Sequence, residues 1–488
     1  MDMHPLSSLF PPSPVAVALA CALLGLGGMG LARAAEPASP SPSSSFSASS
    51  AGSGTALDMR AAVQAAVAWH PAVRTAQGQL LGADEGVAVA RAGYYPQLKG
   101  GVGAQVNNRD VYPYTSRRIY DASLSASQML YDFGKVDSAV QQAEAGIETA
   151  QAQVQLSSDE VAREAAQAWV ELRRQQALAA IARDQVKGVQ ALANLARERQ
   201  VKGASARSDS MQAQSRVDGA RAQLILYEAQ ERRWQARLMM LAGLRAVPVV
   251  GSGESLGEGG VPAGLPQACP AAQALADLPG RGTLLPPAAV RKAQGQRALA
   301  LADVKAADAQ LMPTLSMDGS ASRGLTSGSR PPGYPAVDTR IMFNVSAPLF
   351  EGGRNQARQR AAVHALEAAD AAVAYAQLQS RQALRDAQDQ SVGLQQRAPV
   401  IDERIGSIRI TRDLYREQYL QLGTRSLLDL LNAEQEYHNA RFEKTDSAHE
   451  LQKLAVECWY QSGRLGEVFE LDLQPRQGVQ AMMQRAAR

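Results

Sequence analysis

Apolar and polar positions alternate with a period of two in four separate stretches. Leu98, Gly100, Val102, Ala104 and Val106 alternate with Gln97, Lys99, Gln105 and Asn107, which predicts a strand with one apolar and one wet face. Tyr120, Ala122, Leu124 and Ala126 alternate with Asp121, Ser123, Ser125 and Ser127, and the pattern returns in Leu315, Met317, Gly319 and Ala321 and in Ile341, Phe343, Val345, Ala347 and Leu349. Each stretch is about the ten residues that a tilted strand needs to cross a bilayer. Leu98, Val102, Leu124, Phe343 and Val345 are then the expected lipid-facing positions. The Gly-, Pro-, Tyr- and Arg-containing stretches 107–118 and 322–339 suit exposed loops. A spanning sheet must close, and roughly eight strands is the smallest closed barrel, so a four-stranded chain has to oligomerise; three copies give an even number of strands. A soluble four-stranded sheet is the plainer alternative.

The strands alternate with two very long helical patterns. No proline interrupts Gly134 to about Lys202, where Val136, Val140, Ala143, Ile147, Ala150 and Val154 step by four and three residues as in a coiled-coil seam. At 1.5 Å per residue the span is on the order of 100 Å. From Arg354 to about Leu422 the seam returns in Ala362, Leu366, Ala369, Val373 and Ala376, with Pro399 expected to kink or break it. Return helices are expected over about Ser208–Leu241 and Ser426–Gly463. Each is half as long as its partner, so the segments Trp69–Gly93 and Ala288–Met312 should stack end to end with them.

These elements occur twice. Gly203 to Gln214 returns as Gly423 to Glu434, with Gly203/Gly423, Asp209/Asp429 and Ala213/Ala433 identical; Pro96 and Leu98 correspond to Pro313 and Leu315, and Gly134-Lys135 to Gly353-Arg354. The chain divides into a first repeat over 56–265, with its β-hairpin at about 97–130 and a helical tip near 203–209, and a second over 266–472, with its hairpin at about 314–350 and a tip near 423–429. A repeat of this length is too long for a solenoid unit.

Residues 1–34 read as a secretory signal: Val15 to Leu31 is apolar and Ala32-Arg33-Ala34 offers a small-x-small cleavage site, although the n-region lacks Lys and Arg. Residues 35–55, rich in Ser, Ala and Pro, are an expected disordered leader, and 473–488 an expected disordered tail. No later stretch is long and apolar enough for a membrane helix. Export combined with alternating strands suggests the outer membrane of a Gram-negative cell. With 20% charged residues and a net charge of +3, nucleic-acid binding has no electrostatic support. Cys21 lies inside the apolar signal core rather than at its end, which argues against acylation. For Cys269 and Cys458, two free buried thiols are the default reading and a disulfide in an oxidising compartment is the alternative.

Catalytic constellations are missing from the sequence. His438 and His449 lack metal-ligand spacing and read as solvated surface histidines, and Gly251 to Gly260 lacks the Lys-Ser/Thr ending of a phosphate loop and reads as a linker. No catalytic residue, metal or cofactor is expected.

The turns at Gly203 and Gly423 lie at the end farthest from the strands, so around a threefold axis six of them converge. Ser208-Asp209 on one tip and Thr424-Arg425 on the other carry complementary charge, and Asp429 shares a helix face with Asn432. Helix capping is the plain account of Ser208 and Asp209. Bridging between neighbouring hairpins would also use the opposed charges, and Asp429 from three chains would form an anionic ring at a mouth.

Ala66, Val67, His70 and Pro71 with Arg91-Ala92-Gly93-Tyr94-Tyr95-Pro96, the junction Tyr131-Asp132-Phe133-Gly134 and the tip Gly423-Thr424-Arg425-Ser426-Leu427-Leu428-Asp429 resemble the TolC-type outer-membrane channel proteins. The resemblance covers about Leu57 to Asp472. It implies an α+β membrane protein: a homotrimer with a twelve-stranded outer-membrane β-barrel, a long periplasmic α-helical coiled-coil barrel, an equatorial mixed domain and a periplasmic gate closed by polar links. Ser208 and Asp209 match the gate's Thr-Asp pair, Arg425 its arginine, and Asp429 its first acidic ring. Asn432 stands where the second ring would have Asp. Tyr419 lies four residues before Gly423, where the gate tyrosine is normally three before, and Gly203, Gly423 and Thr424 form the turns that would meet an adaptor. The implied partners are a periplasmic adaptor, an inner-membrane ABC transporter or other pump, outer-membrane lipid and an exported protein or small molecule. The run Leu427-Leu428-Asp429-Leu430-Leu431-Asn432-Ala433-Glu434 looks more like the type I protein-secretion branch than the efflux branch; a periplasmic scaffold is the reading from another class.

Overall fold

The computed structural model describes residues 57–106, 108, 118–245, 268–269, 286–325, 335, 337–422 and 424–471. The expected signal, leader, 251–260 linker and C-terminal tail, most of both strand-connecting loops, and Gly423 lie outside the described residues.

Four antiparallel strands, β1 (Gln97–Val106), β2 (Arg118–Tyr131), β3 (Thr314–Gly324) and β4 (Val337–Ser346), form one sheet in the order β1-β2-β3-β4. The central pair, β2 with β3, joins the two repeats. Register sorts the side chains by face. Leu98, Val102 and Leu124 stand opposite Ala126, Ala122 and Gly100, while Leu315, Met317 and Gly319 stand opposite Val345, Phe343 and Ile341. Leu124 also faces Ala321 across β2 and β3, so the apolar positions of all four strands share one side of the sheet. Val102 is 80% exposed and Phe343 71%. The opposite side carries the row Lys99, Ser125, Ser320 and Arg340, and Ser127 donates to Asp318 at 2.6 Å. Ile119, Met129 and Met342 are apolar exceptions on this side. β1 and β4 each have a sheet neighbour on one side.

β4 is shorter than its alternation suggested: Ala347 and Leu349 fall beyond its end, because Pro348 has no N–H with which to continue a ladder. A bulge between Met129 and Tyr131 ends β2. Tyr131 then meets Phe133 edge to face at 4.6 Å, and Phe133 (φ 55°) and Gly134 (φ 92°) turn the chain into the next helix. The buried Asp132 carboxylate accepts from the Gly134 N–H at 3.0 Å and the Val136 N–H at 2.6 Å, which satisfies the helix's first donors.

The helices are α1 (Met59–Trp69), α2 (Pro71–Arg91), α3 (Lys135–Val201), α4 (Arg207–Ala242), α5 (Ala288–Ala309), α6 (Arg354–Glu417), α7 (Leu427–Gln461) and the single turn α8 (Leu465–Val468). The expected Trp69–Gly93 helix begins instead at Pro71: His70 ends α1 and caps α2, accepting from the Ala72 N–H, and Pro71 needs no intrahelical donor. α3 runs for 67 residues and α6 for 64, the latter unbroken across Pro399. α2 packs on α3 through Leu80 against Val154, and α5 packs on both α3 and α6. α2 and α4 thus both pack on α3, and α5 and α7 both pack on α6.

The largest core lies around the middle of α3. Met59, Val63 and Ala66 of α1 pack with Val161, Ala165, Trp169 and Leu172 of α3 and with Val456 and Trp459 of α7, while the Trp169 indole donates to the Leu57 carbonyl at 3.0 Å. Cys269 and Cys458 join here in a disulfide with Cα atoms 5.2 Å apart. This overturns the free-thiol reading, since tertiary packing brings together two cysteines separated by 189 residues. His438 (2% exposed) and His449 (4%) are likewise buried rather than solvated, because the stripe of α7 that bears them packs against α3. His449 Nδ1–H donates to the Thr445 carbonyl at 2.8 Å, and burial holds its pKa below the usual imidazole value. α6 contrasts with α3: Ala387, Ser391 and Ile401 are its buried residues, while Tyr375, Leu378, Val400 and Ile410 stand exposed.

Asp159 of α3 is buried, and the loss of hydration raises its pKa to about 6 against the opposing field of Arg291, with Glu160 adding to the rise. A raised carboxylate pKa stabilises the fold below the unfolded value near 4, and that stability is lost as pH rises through about 6. Asp159→Asn should therefore melt above the parent protein at pH 8, by on the order of 2–3 kcal/mol, with the gap closing by about pH 4. Denaturant melts followed by circular dichroism across that range check this; a gap that widens toward acid refutes it.

Candidate functional site: the helical tips

The two helical hairpins end beside each other. α3 stops at Lys202, Gly203 takes φ 74°, and the Ala204 N–H closes back onto the Arg199 carbonyl at 2.8 Å. A residue with a Cβ is strained at that φ, so glycine terminates the helix. In the short turn that follows, Ser205 Oγ donates to Asp209 at 2.6 Å and Ser208 Oγ lies 3.4 Å from the same carboxylate. Asp209 sits in the first turn of α4, where the exposed N–H groups favour negative charge. Ser208 and Asp209 do not cap α4, whose N-cap is Ala206 without a side-chain hydrogen bond; Asp209 contributes charge to the first turn and a side-chain bond with Ser205.

The second tip is built differently. α6 passes into one π-helical turn, Gln418–Leu422, and α7 starts at Ser426. Ser426 and Asp429 form a reciprocal capping box: the Asp429 N–H donates to Ser426 Oγ at 3.2 Å and the Ser426 N–H to Asp429 at 3.4 Å. Thr424 and Arg425 are exposed. Arg425 does not reach Ser208-Asp209 within one chain. Its guanidinium lies over the Tyr415 ring at 4.4 Å and donates to Gln418 at 3.1 Å, both on its own hairpin.

Tyr419 makes the cross-link instead. The extra π-turn residue rotates this side chain inward, and it is 6% exposed among Val189, Leu192, Ala196, Val217 and Leu430. Arg199 of the first tip stacks over its ring at 4.6 Å and donates to its carbonyl at 2.8 Å. Burial raises the Tyr419 pKa; Arg199 opposes the rise, the Asp209 carboxylate adds to it, and Ser205 lies beside the phenol. Sequence reasoning placed Tyr419 at the tip and missed Arg199, which nothing in the local pattern distinguishes from other helix-surface arginines.

One turn farther along α7, Asn432 is exposed and accepts from Arg216 of α4 at 3.3 Å; Arg216 also donates to Gln435. Next, Glu434 is buried and pairs with His438 at 3.1 Å and with Arg412 of α6 at 3.7 Å. Gly188 of α3 makes room for it: a Cβ there would stand 2.2 Å from the Glu434 carboxylate. A glycine in the middle of so long a helix was the available sequence signal for this seat. Among the described residues no group of three or more acidic, His or Cys side chains could hold a metal.

A family model described as outer membrane efflux protein matches residues 62–244 and 285–455. The chain belongs to the outer membrane efflux protein family. The relatives agree with this. Outer membrane efflux protein BepC of Brucella suis is 24% identical over 382 residues, covering 78% of this chain and 80% of BepC. Among solved structures, a membrane protein from Pseudomonas aeruginosa superposes with a TM-score of 0.70 at 20% identity, over 84% of this chain and 91% of that one. The Campylobacter jejuni CmeC outer membrane channel also gives 0.70, at 13% identity over 90% and 98%. The fold is that of the outer-membrane channels, with the sheet in the outer membrane and the long helices in the periplasm.

If Tyr419 fastens the two tips, Tyr419→Ala removes a buried aromatic, a loss of about 3–5 kcal/mol in a well-packed site. Amide exchange at 199–209 should then quicken by roughly tenfold or more. Arg425→Ala, whose partners lie on its own hairpin, should leave those amides unchanged. Equal exchange in the two variants would place the fastening elsewhere.

Proposed function

We propose that the protein is the outer-membrane duct of a type I protein secretion system. Three copies close a twelve-stranded barrel and extend it as a tube of long helices, whose tips meet a periplasmic adaptor and an inner-membrane ABC transporter. The carrying observation is the open sheet: among the described residues β1 and β4 each have one neighbour, while the middle of one face, from Leu98, Val102 and Leu124 to Ile341, Phe343 and Val345, is apolar. In lipid an unpaired strand edge costs several kcal/mol per unsatisfied group, and ring closure removes every edge. The exposed apolar residues of α6 support the same assembly, since a neighbouring copy would cover them.

In this reading Leu98, Val102, Leu124, Phe343 and Val345 face lipid and the Lys99–Arg340 side faces the lumen. Ser208, Asp209, Tyr419 and Arg425 act as the periplasmic gate, with Tyr419 joining tips within a copy and Arg425 free to engage the next copy's Asp209 in exchange for Gln418. Asp429 forms the mouth ring. The Leu427–Glu434 run favours a protein cargo, and the name of the relative BepC favours the second reading, efflux of small molecules. Deleting the gene separates them: loss of a polypeptide from the culture medium with drug tolerance intact supports secretion, and the reverse supports efflux.

The assembly is tested directly by native mass measurement in detergent, where a trimer is expected; a stable monomer with its full β signal refutes the barrel. Leu124 lies mid-strand, so Leu124→Arg should destabilise the barrel by about 2–4 kcal/mol while Ser125→Arg, one residue away on the other face, assembles normally. The opposite ranking would invert the faces.

A further inference from the structure

About one turn along α7 from Asp429 lies a fixed positive charge. Arg216 of α4 reaches across to α7 and donates to Asn432 at 3.3 Å and to Gln435. Both acceptors are neutral amides, and among the described residues no carboxylate pairs with this guanidinium, which cannot lose its proton. Asn432 is exposed and lies three residues beyond Asp429, so the two share a helix face and stand about 4.5 Å apart along the axis. The guanidinium is held at that same level by two hydrogen bonds rather than trailing in solvent.

We propose that Arg216 is a selectivity-determining residue of the channel mouth. Its charge opposes the Asp429 ring, so that the constriction presents a carboxylate level followed one turn later by a guanidinium level and admits acidic cargo. The inference rests on the reading of three copies around an axis with this face of α7 turned toward it. At 0.1 M salt the screening length is about 10 Å, longer than the spacing of the two levels, so a passing ion feels both. Three carboxylates alone would make a narrow mouth repel anions. Three guanidinium groups one turn away offset them, and Asn432 leaves that offset intact because an amide accepts from Arg216 without neutralising it.

The test is the reversal potential of the full trimer in planar bilayers under a potassium chloride gradient. The parent channel should discriminate weakly between the ions. Arg216→Gln should raise the potassium-to-chloride permeability ratio by about threefold or more, whereas Arg216→Lys should retain the parent ratio. Asn432→Asp supplies a second route that leaves Arg216 in place: a carboxylate beside the guanidinium should raise the ratio similarly. Asp429→Asn should move it the other way. If Asp429→Asn shifts the ratio while Arg216→Gln or Asn432→Asp leaves it at the parent value, the duct reading stands and the role of Arg216 is overturned. If the purified protein forms no channel, the duct reading fails and this proposal with it.

Discussion

An antiparallel sheet with two edges open among the described residues and one face apolar through its middle sets the conditions for the remainder of the chain. In water the apolar face has to be covered, and in lipid the edges have to be paired. Among the described residues no helix covers the face, and the long helices begin where the strands end, at Gly134 and Gly353. Burial follows the same division. The sheet's large side chains are exposed on one side, while the densest packing lies around Trp169, about halfway along α3. The molecule thus keeps its core for the helical portion and leaves the apolar strand positions exposed.

Duplication explains the economy of this plan, and divergence between the copies explains the tips. α3 is buried along much of its length by α1, α2, α4, α5 and α7, whereas α6 is buried at three positions. Two equivalent helices therefore occupy inequivalent places, one central within the copy and one at its margin. The tips diverged accordingly. The first closes with a glycine and an internal Ser-Asp network, and the second spends an extra π-turn residue to turn Tyr419 into the first.

Features that repeat along one segment were legible in the sequence. Strand alternation predicted which side chains share a face, and the absence of proline between Gly134 and Lys202 predicted the length of α3. Contacts between segments were not. Nothing in the spacing of Cys269 and Cys458 encodes their pairing, and the polar character of His438 and His449 concealed that α7 turns them against α3. Arg425 was expected opposite Asp209 because their charges are complementary. Within the copy its partners are instead the Tyr415 ring and the Gln418 amide of the same hairpin. Pro399 shows a converse limit: one missing hydrogen bond costs about 3 kcal/mol in a helix interior, which does not break a helix whose many other bonds and flanking contacts persist.

The polar groups near the tips fall into an exposed set and a buried set, which suits the proposed gate made of several modest links. Arg425 and Thr424 are exposed, and exposed polar links contribute at most about 1 kcal/mol each. Tyr419 is buried between the hairpins with Arg199 over its ring, and farther along α7 the similarly buried Glu434 fills the space left by Gly188, with His438 and Arg412 as its partners. A buried carboxylate stripped of such partners is costly, so the inner links resist separation more than the outer ones. Opening that begins at the exposed residues and stops at Tyr419 would widen the mouth while α3 and α7 stay in register. Opening that separates Glu434 from Gly188 would have to move α7 as a whole against α3.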